Sequence, residues 1–169
     1  RSMMLALMTA HPEVEFHFWG QSEAGRDADA RTREFLNSLK SQPNCRLRGI
    51  QPTDVLAAQF AEMDIFLLAY QPDPLEPDFD FSNSHKILEY LATGRVTLSS
   101  PLSEYENLSP ELMVFAEDNS LESFIRRFDD ILSRLADLNR PELARLRRDL
   151  ALENRYSIHW AMIERSVGL

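Results

Sequence analysis

The chain of 169 residues is long enough to bury one sizeable core, and its 44% hydrophobic and 27% charged content is that of an ordinary globular domain. A net charge of −9 excludes the broad basic footprint of a nucleic-acid binder, but leaves room for a small anion held by local cations and helix termini. Cys45 is the single cysteine, so an internal disulfide and a thiolate metal cluster are both excluded, which fits a reducing cytoplasm.

In chain order, Met3, Met4, Leu7 and Met8 recur at helical spacing, and His11-Pro12 ends that helix. The chain opens at Arg1 directly into this apolar element, from which we expect a natural N-terminus further upstream. Residues 14–19 alternate as a strand that stops at Gly20. Residues 27–42 form an amphipathic pattern with Phe35, Leu36 and Leu39 inward, and Pro43-Asn44 turns the chain into a strand over 45–50. Thr53 is expected to cap a helix carrying Val55, Leu56, Ala58 and Phe60 on its inner side.

Residues 64–70 make a near-continuous apolar strand, the pattern of a parallel strand covered on both faces. The run Ile65-Phe66-Leu67-Leu68-Ala69-Tyr70 is too short to span a bilayer. A proline- and acid-rich loop over 71–80 leads to a helix that starts near Ser84 and stops at Gly94, followed by a strand over 96–99. A loop over 100–110 and a strand over 112–116 come next. Helices over 120–138 and from 141 to about 167 close the chain. Strands alternating with helices imply right-handed crossovers, hence a Rossmann-like three-layer α/β/α domain with a mainly parallel sheet. Ligands of such sheets sit beyond the carboxyl ends of the strands, here after residues 64–70 and at the start of the next helix.

That helix opens with Ser82-Asn83-Ser84-His85-Lys86 and carries Glu89 one turn on. Ile87, Leu88 and Leu91 share the face expected to meet the sheet, with Lys86 and Glu89 on another face and Tyr90 beside them. An exposed ion pair is the plain explanation, but such pairs contribute only about 0.2–0.5 kcal/mol and favour glutamate before lysine. Lys86 stands in the first turn, where the macrodipole disfavours a cation unless an anion binds there. Free amides, a lysine and small polar residues suit a phosphate, and Glu89 could accept two hydrogen bonds from a ribose diol.

The segment from Ser82 to Gly94 resembles the S-N-P-x-K-hydrophobic-x-E-Y-L-A-x-G pattern of bacterial GT-B glycosyltransferases, of the group 1 or family 4 kind that build capsular, teichuronic or lipopolysaccharide glycans. Residues 12–20, 43–49 and 64–70 are similar to three strands of the same family, and 97–102 to the strand and turn after its helix. The resemblance implies that residues 1–169 are one donor-nucleotide-binding domain, the C-terminal half of a GT-B fold, with the acceptor domain upstream. By the same resemblance Glu89 meets the ribose, and Ser82, Asn83, Ser84, His85 and Lys86 meet the diphosphate, with Tyr90 alongside. His85 and Lys86 would stabilise the leaving group. Gly49 and Ile50 border the base pocket above Leu56, while Tyr70 and Phe81 flank the sugar.

The implied reaction moves a sugar, a hexose in most of the family, from a UDP- or GDP-type donor to a glycan or lipid-linked acceptor. It uses no metal and no cofactor beyond that donor, and the isolated fragment would be inactive. The setting would be cytoplasmic or peripheral on the inner face of the membrane. Phe81 stands where retaining members place an acid, and Ser84 and Val96 stand where the family has proline. A catalytically inactive nucleotide-binding or scaffolding module therefore remains the alternative. A receiver-type signalling domain is disfavoured, because Glu13 and Glu117-Asp118 do not supply its clustered aspartates.

Asp73, Glu76, Asp78 and Asp80 lack the register of a calcium loop and read as a solvated segment. His11 and His17 read as a helix stop and a strand position, and His159 as a surface or packing residue of the last helix. Arg145, Arg147 and Arg148 read as a solvated helix face, with contact to anionic lipid headgroups as the second reading.

Overall fold

The computed structural model describes residues 2–25, 28–70, 85–102, 105 and 107–154. The chain divides into two compact units, Arg1–Gln59 and Phe60–Leu169.

In the first unit, α1 (Ser2–Ala10) buries Met3, Leu7 and Met8 and ends where the His11 amide bonds to Leu7 O. Two parallel strands, β1 (Phe16–Trp19) and β2 (Cys45–Gly49), pair from Phe16↔Cys45 to Trp19↔Gly49, with a register shift between Phe18 and Trp19. The first strand starts two residues later than its apolar alternation suggests, because Val14 belongs to a turn. Its amide bonds to His11 O, and its carbonyl accepts from Asn44 Nδ2 at 3.0 Å. Asn44 also donates to Met8 O and His11 O, so one buried amide gathers the helix end and the strand entry. Between the strands, α2 (Ala30–Ser41) is capped by Asp29, which accepts from the Thr32 amide at 2.6 Å. Leu36 and Leu39 are buried and Phe35 half-buried.

His17 is tied into a strand-face network. Arg48 Nε donates to its Nδ1 at 3.2 Å, which leaves Nε2 to donate to Glu15 at 2.6 Å. The hydrogen bond from His17, with nearby Arg46, holds the Glu15 carboxyl below its usual range against the opposing pull of burial.

Helix α3 (Thr53–Ala61) contains the division between the units. Thr53 is its first residue, and Val55 and Ala58 are exposed, contrary to the inner face expected for them. Leu56 is half-buried and Phe60 alone is buried.

In the second unit, β3 (Ile65–Leu68), β4 (Val96–Ser99) and β5 (Val114–Phe115) form a parallel sheet in the order β3-β4-β5. The central strand is buried at every residue, as its flanked position requires. The outer two are shorter than the apolar runs over 64–70 and 112–116, since pairing stops where the neighbour does. Helix α4 (His85–Thr93) crosses from β3 to β4 and buries Ile87 and Leu91 completely, beside Leu68, Leu102, Met113 and Ala151. Each such side chain contributes roughly 1.5–3 kcal/mol by leaving water. Leu88 is only half-buried.

The helix expected over 120–138 is two: α5 (Leu121–Ser133) and the single turn α6 (Leu135–Leu138), separated at Arg134. The last described helix, α7 (Pro141–Glu153), begins with proline at a position where its missing amide costs nothing. Residues 155–169, including His159 and Trp160, lie outside the described residues. Arg145 and Arg148 are exposed, but Arg147 is fully buried and not on a solvated face. The spacing explains this. Leu143, Arg147 and Ala151 stand four apart on the inner face, while Leu146 points outward at 50% exposure.

Candidate functional site

The carboxyl end of β3 and the start of α4 hold Tyr70, Lys86, Glu89 and Tyr90 of the expected residues. Ser100, just past β4, donates from Oγ to Tyr70 O at 2.8 Å and from its amide to Leu68 O at 3.0 Å. These two bonds carry the pairing of β3 with β4 beyond the last regular residue. They fix Tyr70, half-buried against the core cluster.

Helix α4 is oriented by its apolar face. With Ile87 and Leu91 at no exposure, Lys86 and Glu89 are turned outward, and both are exposed. Lys86 lies in the first turn, with no acidic residue in that turn to neutralise it. Tyr90 sets the rotation of the helix. Its ring stacks on Phe66 of β3 with centroids 4.3 Å apart at 19°, and Phe60 meets both rings edge-on at 5.5 and 5.2 Å. Burial pushes the Tyr90 phenol up to about 12, with Tyr70 and Glu89 adding to the shift. Near neutral pH this is a neutral hydroxyl beside a carboxylate, able to donate a hydrogen bond but not to act as a base.

Of the residues expected at the site, Tyr70, Lys86, Glu89 and Tyr90 lie at this end of the second unit. His85 opens α4. Ser82, Asn83, Ser84 and Phe81 lie outside the described residues, as do Asp73, Glu76, Asp78 and Asp80 of the acidic loop. Gly49, Ile50 and Leu56 belong to the first unit. Gly49 ends β2 with φ +70°, a conformation glycine adopts without strain, and its carbonyl accepts from Gly20 N at 3.0 Å. Ile50 is 80% exposed, an apolar side chain left in water directly after a strand end.

Among the described residues no three histidine, cysteine or acidic side chains are grouped closely enough to hold a metal ion, and no helix is long and apolar enough to cross a membrane. Ser100 and Arg147 escape a reading of motifs. Ser100 has no local signal, since its partners are thirty residues away. Arg147 has one: its place four residues from both Leu143 and Ala151 puts it on the buried face.

No protein-family model matches this chain, and no curated protein sequence does. Among solved structures, sucrose-phosphate synthase from Thermosynechococcus elongatus has a similar fold, with a TM-score of 0.73 and 15% identity over 98% of this chain. The chain spans 41% of the length of that protein. Two small parallel sheets with flanking helices, matched over nearly their whole length in this neighbour, give the chain a Rossmann-like α/β fold, that of one half of a GT-B fold.

Proposed function

We propose that this chain is the donor-binding domain of a glycosyltransferase that moves a sugar from a nucleoside diphosphate to a glycan or lipid-linked acceptor in cell-surface polysaccharide synthesis. The observation that carries the reading is the exposure of Lys86 and Glu89 on the first turns of α4, at the carboxyl end of β3, in a GT-B-like fold. Lys86 and the free amides of that first turn bind the diphosphate, and Glu89 accepts from the ribose hydroxyls. As the glycosidic bond breaks, charge grows on the departing phosphate. A fixed cation and helix dipole stabilise that charge more than the ground state, which lowers the barrier. Tyr90 stays protonated, so it adds no charge beside Glu89. The acceptor and any general base come from a second domain.

Phe81, in place of an acid, supports a second reading: a domain that binds the nucleotide without turning the donor over. Calorimetric titration with UDP and GDP, beside ADP as a control, tests the common premise. UDP or GDP should bind, and Glu89→Ala should weaken it tenfold or more, about 1.4 kcal/mol. Binding by neither UDP nor GDP would sink both readings. Sugar transfer by the full-length protein then separates enzyme from scaffold.

A further inference from the structure

A fully buried guanidinium that bonds to no carboxylate among the described residues needs an account. Arg147 Nε donates to Leu112 O at 2.9 Å, Nη1 donates to Gly94 O at 3.0 Å and Leu138 O at 2.7 Å, and Nη2 donates to Glu111 O. The Glu111 side chain is turned to Arg140 instead, at 3.3 Å. Among the described residues its hydrogen bonds thus go to backbone carbonyls alone. They come from the end of α4, the end of α6 and the segment before β5, and helix carboxyl ends carry the partial negative charge that suits a buried cation. Burial, with Arg140 nearby, lowers the affinity of Arg147 for its proton to a pKa of about 10, so it remains charged at neutral pH.

The contact at Gly94 ties this cluster to the candidate site. Gly94 has φ +84°, and a Cβ there would lie 2.8 Å from Ala144 O and 3.0 Å from Ala144 Cβ, so α4 and α7 meet at a point only glycine allows. Arg147 bonds the carbonyl of that same glycine. The carboxyl end of α4 is therefore held along its axis by Arg147 and sideways by Ala144. Ile87, Leu91 and the Tyr90–Phe66 stack fix its rotation. A nine-residue helix held in this way behaves as a rigid rod, about 13 Å long. Its opposite end carries Lys86, and its midpoint carries Glu89.

We propose that Arg147 is a positioning residue for the donor site: it fixes α4 from below, and through it the placement of Lys86 and Glu89. This rests on the donor-binding reading above, and goes beyond it by giving ligand affinity a determinant that touches no ligand. Any lengthwise slip of α4 moves both side chains together, so Arg147 should tune nucleotide affinity without changing which base is preferred.

The test compares the wild-type chain with Arg147→Lys and Arg147→Met by amide hydrogen exchange and by titration with UDP and GDP, below each variant's melting temperature. Arg147→Lys keeps the charge but not the forked donor geometry. It is expected to fold, to exchange the Leu91–Gly94 amides at least tenfold faster while the β4 amides keep their protection, and to bind the nucleotide three- to tenfold more weakly. Arg147→Met should show larger changes in the same places. If it does not fold, Arg147→Lys decides alone. Uniform loss of protection across α4, β4 and α7, or unchanged affinity in a variant whose α4 has loosened, would overturn the proposal. A wild-type chain that binds neither nucleotide would sink the donor reading, and unchanged α4 exchange in Arg147→Lys would then sink Arg147's hold on the helix separately.

Discussion

Tyr90 holds its phenolic proton more tightly in the folded chain than in the unfolded one, where the ordinary value is near 10. Its contribution to stability is therefore full below pH 10 and disappears as pH rises toward about 12. A spectrophotometric titration should show a tyrosine step near pH 12, and Tyr90→Phe should delete that step. Thr97 makes the opposite kind of case. Its hydroxyl is buried in the central strand without a partner among the described residues, so Thr97→Val, which keeps the shape, should raise the urea midpoint by about 1 kcal/mol in stability. Gly94→Ala should cost more than about 2 kcal/mol in the same assay, because a left-handed backbone and a contact with the Ala144 carbonyl both oppose a Cβ. At this scale the sequence is legible where a residue has a local rule. Gly94 announces itself as a helix stop and Lys86 as a cation at the wrong helix end. Thr97 does not, since its environment is built by residues far along the chain, and the spacing of Arg147 tells only that it is inward, not which carbonyls it meets.

Among the elements, α4 was readable almost to the residue, with polar residues before it, an apolar face at i, i+4 and a terminal glycine. The break between α5 and α6 was not. No glycine or proline marks Arg134, and the α6 end is set by Asn139, which accepts from Val96 N at 2.9 Å and donates to Asp64 O at 2.8 Å. Those partners begin β4 and precede β3, and no local pattern reports them. The start of α5 shows how capping extends into the core. Ser120 accepts from the Ser123 amide at 3.1 Å, and the buried Ser123 hydroxyl accepts from the Glu117 amide at 2.8 Å. Ser120→Ala should cost about 1 kcal/mol, the usual loss for a cap. Ser123→Ala should cost as much or more, about 1–3 kcal/mol, because it leaves the Glu117 amide without its acceptor. Thermal unfolding of the two variants side by side checks the order.

For the molecule as a whole, the α/β class followed from strands that alternate with helices, and the parallel pairing of β1 with β2 and of β3 with β4 and β5 bears it out. The division into two compact units left no trace in composition, since it falls within the continuous helix α3. On the proposed reading, an acidic chain, at −9, binds a nucleoside diphosphate through a local cation, the exposed Lys86 at the head of α4. The most direct test of that claim is a map of backbone amide shifts in the 169-residue chain as UDP or GDP is added to millimolar concentration. The account expects the largest shifts over residues 85–90 and at Tyr70 and Ser100, with α5 unmoved. Shifts confined to other elements, or none at all with either nucleotide, would contradict it.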